Sequence, residues 1–321
     1  MKVFKTLIFA ALAAAALSSQ AQQPYPSKAV RVIISFTPGS STDIVGRIVM
    51  QKLSEMWGQP IVPENRGGAG GQIGSAVVVQ AAPDGYTLLI DSSAHSITPA
   101  IYAKLPYDPM KDFTDIAPLA IQPNVLIVNS SSPYKSLMDL VNAAKAKPGS
   151  INWGHAGVGS GTHLNTEKFV DAAKIDVTQV PFKGTPEVIQ AMLSNSVDCY
   201  WAPISAALPH IKGGRMRALA VSTPKRNPTL PDVPTTGEAG IKRADAPLWF
   251  AVWGPAGMSP ELVNKISADV RKALADPTVK ERLYNGGNEP MDMSPQEFGR
   301  FVRSEIDEYQ RVVKGAGIQP Q

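Results

Sequence analysis

Short apolar runs alternate with helical repeats along almost the whole chain, and no other feature narrows the possible folds so far. Residues 30–35 (Val30-Arg31-Val32-Ile33-Ile34-Ser35) suit a strand buried on both faces. Residues 42–57 place Ile44, Val45, Ile48, Val49 and Leu53 on one helical face. A strand at 61–64, a helix at 71–81 stopped by Pro83-Asp84-Gly85, and a strand at 86–90 follow. The rhythm restarts near Val125. Strands are expected at 125–128, 151–153, 177–180, 197–201 and 216–221, separated by helices at 136–147, 162–173, 186–195 and 205–212. This alternation predicts an α/β fold with mostly parallel sheets covered by helices on both faces. The Pro-rich stretch 223–234 reads as a crossing between domains and 247–255 as a further strand. Two or three helices close the chain, the last starting near Ser294.

The 321 residues suffice for two domains with their own cores. The expected division is 1–21 as a signal peptide, 22–123 with 227–321 as a discontinuous first domain, and 124–226 as the second. Lys2 and Lys5 precede an apolar run from Leu7 to Leu17, and Ser19-Gln20-Ala21 offers small residues before a cut after Ala21. That run is about half of the ~20 residues needed to span a membrane, so it reads as a cleavable export signal. The net charge is +4 with Lys2 and Lys5 included, which gives no case for nucleic acid as a partner. Cys199 is the only cysteine, so no intrachain disulfide is possible, and its expected place is in a core.

Two segments carry the chemistry. Phe36-Thr37-Pro38-Gly39-Ser40-Ser41-Thr42-Asp43 follows a strand and opens a helix. Gly39 allows a tight turn, and the Ser and Thr hydroxyls sit where free N–H groups and the helix dipole already favour an anion. Gly154-His155-Ala156-Gly157-Val158-Gly159-Ser160-Gly161-Thr162-His163 repeats the arrangement in the second half. Ordinary helix capping explains either loop alone. The pair points further, to two helix starts facing each other across a cleft with a carboxylate between them. Phe36, Trp153, Trp201, Trp249 and Trp253 lie near strand ends and are candidates to line that cleft or to fill cores. Ser92, Ser93 and His95 follow the third strand, at the sheet edge where open α/β folds bind ligands.

Familiar catalytic and cofactor signatures do not fit. Gly157-Val158-Gly159-Ser160-Gly161-Thr162 ends in Thr where a dinucleotide fingerprint needs Gly, and no Gly-Lys-Ser/Thr phosphate loop occurs. His95, His155, His163 and His210 form no metal-binding spacing, so no metal or cofactor is expected. Ser160 with His163 leaves a remote alternative, a serine hydrolase, but no third orienting residue is evident.

Taken together these motifs resemble the periplasmic substrate-binding proteins of tripartite tricarboxylate transporters, the Bug family. The resemblance rests on residues 36–43, on Glu64-Asn65-Arg66-Gly67-Gly68-Ala69-Gly70-Gly71, and on Ala82-Pro83-Asp84-Gly85-Tyr86-Thr87. Leu105-Pro106-Tyr107-Asp108, residues 156–160 with His163-Leu164, Val180-Pro181-Phe182-Lys183-Gly184 and Leu230-Pro231-Asp232-Val233-Pro234-Thr235 complete it. It implies a type II periplasmic-binding-protein fold, two α/β domains joined by a hinge with a ligand cleft between them. It also implies a monomeric periplasmic receptor, not an enzyme, that delivers a small organic carboxylate to a two-subunit inner-membrane permease. The same receptor serving a membrane sensor is the alternative. The family's carboxylate grip falls here on Thr37, Gly39, Ser40, Ser41 and Thr42, and on Ser160, Gly161, Thr162 and His163. Phe36, Asp43, Ser92, Ser93, His155, Trp201 and Trp249 complete the expected ligand site. Trp201 stands where smaller or more amide-like residues are common in the family, which tilts the expected ligand toward a flat aromatic carboxylate or a dicarboxylate.

Overall fold

The computed structural model describes residues 25–315, so the expected export signal lies outside the described residues. The chain begins with β1 (Val30–Ile34), α1 (Ser41–Trp57), β2 (Ile61–Asn65), α2 (Gln72–Val79), β3 (Thr87–Ser92), α3 (Ala94–Ile101) and β4 (Phe113–Gln122). It crosses to β5 (Asn124–Asn129), α4 (Leu137–Ala146), β6 (Asn152–His155), α5 (Gly161–Ala173), β7 (Thr178–Pro181), α6 (Thr185–Leu193), β8 (Cys199–Pro203), α7 (Ile204–Lys212) and β9 (Met216–Val221). It returns through β10 (Leu248–Pro255) and ends with α8 (Pro260–Ala275), α9 (Pro277–Asn285), β11 (Glu289–Pro290) and α10 (Pro295–Gly315). The strands make two sheets, β11-β4-β10-β3-β1-β2 in one lobe and β7-β6-β8-β5-β9 in the other.

Both sheets are mixed, where the sequence reading expects mostly parallel ones. β1 pairs parallel with β2 and β3, and β6 with β7 and β8. β10 runs antiparallel to β3 and β4, and β5 antiparallel to β8 and β9. The cause is topological: β5 and β10 are the strands that enter from the other lobe, so they start at the hinge where their antiparallel neighbours end. Those neighbours therefore bring their C-terminal ends to the gap between the lobes, the usual binding edge of an open α/β sheet.

Alternation along the strands divides each core in two. In β10, Leu248, Phe250 and Val252 pack with α1 and α8 on one face, and Trp249, Ala251 and Trp253 pack with Phe298, Val302 and Ile306 of α10 on the other. In the second lobe, Leu126, Trp153, Cys199 and Trp201 pack with Phe169 of α5, while Val125, Ile127, Tyr200 and Ala202 face α6 and α7. Cys199 is a buried free thiol.

The return to the first lobe comes later than residue 227. Leu230 belongs to one core of the second lobe, and Ile241 and Ala244 to the other. Ala246 N–H donates to Ser222 O, and only Pro247 and Leu248 carry the chain across. The Pro-rich stretch is thus a surface excursion of the second lobe. Three elements are absent from the sequence reading: β4, α3 and the two-residue β11. β4 contains Pro118, which argues against a central strand. Here the pairing with β10 skips Leu119 between Ala120 and Pro118, so the proline sits at an irregularity. α3 contains Pro99, which hides its helical pattern.

Phe169 is fully buried with its ring 5.5 Å from Trp153 and 5.4 Å from Trp201. Phe169→Ala should therefore cost about 3–5 kcal/mol in urea unfolding. A loss below about 1 kcal/mol would mean the second core is organised differently.

Candidate functional site

The loops that open α1 and α5 are wired in the same way. Ser40 N–H donates to Thr37 O and Ser160 N–H to Gly157 O, each at 3.1 Å. Ser40 Oγ caps Asp43 N–H at 3.3 Å, and Ser160 Oγ caps His163 N–H at 3.2 Å. The side chain of the same fourth residue then turns back: Asp43 Oδ2 accepts Gly39 N–H at 2.9 Å, and His163 Nδ1 accepts Gly159 N–H at 3.2 Å. Gly39 and Gly159 both sit at φ 79°, where side chains are strained. The first turn of a helix has no intrahelical acceptors for its N–H groups. Once the caps are made, the amides of Ser41 and Thr42, and of Gly161 and Thr162, have no hydrogen-bond partner among the described residues.

These two turns line one cavity. Phe36, Ser40, Ser41, Thr42, Ser92 and Leu248 of the first lobe and Ala156, Ser160, Gly161, Thr162, Thr185 and Pro203 of the second surround a space of about 260 Å³, its open mouth included. No charged side chain lines the cavity. Its positive potential comes from two helix N-termini, each equivalent to roughly half a charge. The lobes already touch around it. Tyr102 Oη donates to Val158 O at 2.9 Å, and Leu164 of α5 packs into a cluster with Ile97, Ile101, Tyr309 and Val313 of the first lobe. A Cβ added at Gly161 would lie 2.9 Å from Ser93 Oγ, so this closeness requires glycine.

The expected site residues divide accordingly. Phe36, Ser40, Ser41, Thr42, Ser92, Ser160, Gly161 and Thr162 meet at the cavity. Ser93 lies against Gly161 across the gap, and Thr37 Oγ1 reaches Glu187 Oε2 at 3.4 Å. Gly39 shapes its turn, but its N–H is taken by Asp43. Asp43 faces away: its other oxygen accepts from Arg47 Nε at 2.7 Å and Asn65 Nδ2 at 2.9 Å. Trp201 lies buried in the core beside Phe169, and Trp249 points to α10, where Nε1–H donates to Glu305 at 2.8 Å. Neither is available to stack on a ligand in the cavity. His95 stacks on Trp253 at 4.4 Å in the core, and its two ring nitrogens have no hydrogen-bond partner among the described residues. Thr185, Pro203 and Leu248 were not picked out from sequence. Thr185 follows Gly184 and precedes Pro186, a helix-start signal that marks it in retrospect.

Histidine chemistry here is local. Because Nδ1 of His163 accepts from Gly159, its proton is on Nε2, 3.3 Å from Glu167 Oε1. Burial opposes ionisation of Glu167, yet hydrogen bonds from His163 and Gln179 hold its carboxyl below the ordinary value. Burial and the adjacent His163 ring, 4.6 Å away, push His155 down to about 4. Ser160 Oγ meets Thr162 Oγ1 at 3.1 Å and the His163 amide, not its imidazole, so the nucleophile–base contact of a hydrolase is not made. Behind the cavity, burial pushes the Asp91 carboxyl up to about 7, partly offset by donors from Ser35 Oγ (2.5 Å), Ser92 N–H (2.7 Å) and Ser75 Oγ (3.3 Å).

Two α/β lobes, joined at a hinge and closed on a cavity that both line, define a binding protein of the periplasmic type. The sequence matches the profile of the tripartite tricarboxylate transporter family receptor over residues 45–318, and the chain belongs to that family. It is 32% identical over 297 residues to the protein BugT of Bordetella pertussis (strain Tohama I), covering 92% of this chain and 91% of BugT. It is similar to an R. palustris protein solved with adipate, with 34% identity, TM-score 0.90 and coverage of 92% of this chain and 100% of that one. It is also similar to MatC from Rhodopseudomonas palustris with bound malate, with 33% identity, TM-score 0.86 and coverage of 90% and 100%.

Asp91 sets a pH dependence of stability. Its folded pKa lies above the unfolded value, so the folded state holds the proton more tightly and stability falls as pH rises from about 4 through about 7. Asp91→Asn removes this titration. The melting temperature of the variant should change less than that of the wild type between pH 5 and pH 8, and equal slopes would show that Asp91 titrates normally.

Proposed function

We propose that this receptor captures a small organic dicarboxylate in the periplasm and hands it, as a monomer, to a two-subunit membrane permease. The observation that carries this reading is the pair of like-wired helix starts whose unpaired amides line one uncharged cavity. One ligand carboxylate sits between Ser41 and Thr42 on one side and Gly161 and Thr162 on the other, and the hydroxyls of Ser41 and Thr42 add donors. A charge-assisted hydrogen bond is worth about 1.5–3 kcal/mol, and a partly buried helix terminus up to ~2 kcal/mol. Micromolar binding needs about 8 kcal/mol, which a few such contacts supply after the cost of association.

The carboxylate touches both lobes, so it binds the closed state better than the open one and draws the population to it. The relatives solved with adipate and malate support an aliphatic dicarboxylate. The earlier reason for an aromatic ligand was Trp201, and that side chain is buried in a core. Leu248, Pro203 and Phe36 supply the apolar walls along which a short carbon chain would lie. The site's role is capture: none of its groups is arranged to attack a bound ligand.

Calorimetry tests the reading. Malate and adipate, with succinate and glutarate for chain length, should include at least one ligand of micromolar affinity, and the corresponding diamides should bind at least tenfold more weakly. Ser41→Ala with Thr42→Val should weaken the best acid by roughly 10–100-fold. Diamides that bind as well as the acids, or a double variant of unchanged affinity, would overturn the assignment. Gly161→Val should block closure, and small-angle scattering should then show no ligand-induced compaction.

A further inference from the structure

A second cavity lies at the hinge, outside the cleft. With its open mouth included it spans about 750 Å³, against about 260 Å³ between the loops that open α1 and α5. Both connections between the lobes line it, through Pro123 on the outward crossing and Pro247 on the return. Ile121 and Glu289 bound it on the first lobe, and the loop around Pro224 and Lys225 bounds it on the second. Leu248 lines the cleft while its neighbour Pro247 lines this rear cavity, and consecutive residues of an extended chain point to opposite sides. The two cavities therefore lie on opposite sides of the pivot. A rotation that closes one mouth of a hinge opens the other.

We infer that the rear cavity is a second ligand site, for a small amphipathic monoanion, and that its occupation favours the closed cleft. The chemistry of the lining selects the class. Ile121, Pro123, Pro224 and Pro247 form an apolar floor suited to a compact carbon body. Lys225 on the rim has no ion pair among the described residues, whereas the neighbouring Arg226 is spent on Glu238 at 2.9 Å and Pro231 O at 3.0 Å. Glu289 on the facing rim opposes a second negative charge. Gln122 also lines the cavity; its Oε1 accepts Ser205 N–H at 3.2 Å, and its buried Nε2 has no partner among the described residues. An occupant wedges the rear open, so it binds better to the form in which the cleft is shut. By linkage the coupling is reciprocal, and a cleft ligand tightens the rear site.

The probe is 4-fluorobenzoate, titrated into the mature protein and followed by fluorine NMR. Saturable binding is expected, weakened roughly tenfold or more by Lys225→Glu, which reverses the rim charge, and by Thr223→Trp, which fills the cavity. Lys225 is exposed, so its variant folds normally and keeps the test interpretable if the tryptophan variant does not fold. Small-angle scattering should show a smaller radius of gyration with the probe than without it. Absence of saturable binding overturns the site, as does binding that both hinge variants leave unchanged. 4-Fluorobenzylamine binding as tightly as the acid overturns the anionic class, and an unchanged or larger radius overturns the coupling to closure. None of these outcomes depends on what the cleft binds.

Discussion

A helix cannot satisfy the N–H groups of its own first turn, and this protein makes the same use of that deficit twice. In each loop one serine oxygen and one side chain four residues past a left-handed glycine satisfy all the amides they can reach. What remains is a pair of adjacent donors at the start of α1 and another at the start of α5. The partner on the glycine differs, a carboxylate in Asp43 and an imidazole in His163, but the geometry does not. Arg47 and Asn65 brace the first, and Glu167 braces the second. The most polar side chains of both loops thus hold the turn in shape, and the main chain is left to face the cavity.

The reversed strands β5 and β10 explain why these turns meet. Each starts at the hinge and runs against its neighbours, which end there, so the loops after β1, β3, β6 and β8 collect on the facing edges of the two lobes. Closure is sealed by apolar contacts as well as by the turns. Leu164, one residue beyond His163, enters a cluster built by α3 and α10.

Much of this was legible in the sequence, for identifiable reasons. A strand followed by glycine, serine and threonine and then an amphipathic repeat marks a helix start wherever it occurs, so the turns that open α1 and α5 could be found without coordinates. The tryptophans could not be placed in the same way. In β8 and β10 residues on both faces are buried, so the pattern carries no parity, and only the pairing register shows that Trp249 turns from the cavity that Leu248 lines. Pro118 and Pro99 concealed β4 and α3 because a local rule was broken where tertiary packing could absorb it. The stretch 223–234 reads as a crossing between domains because its prolines mask the few apolar residues, Leu230 and Val233, that pack into the second lobe.

The bareness of the Gly161 turn reaches beyond this one molecule. A contact made by peptide nitrogen belongs to no side chain, so mutation cannot readily delete it. Substitutions at Thr185, Pro203 or Leu248 would reshape the walls while the anchor stays intact. On the function proposed above, a lineage built on such an anchor is free to explore new acids by small changes at its periphery, without ever passing through a form that has lost its hold on the acid group.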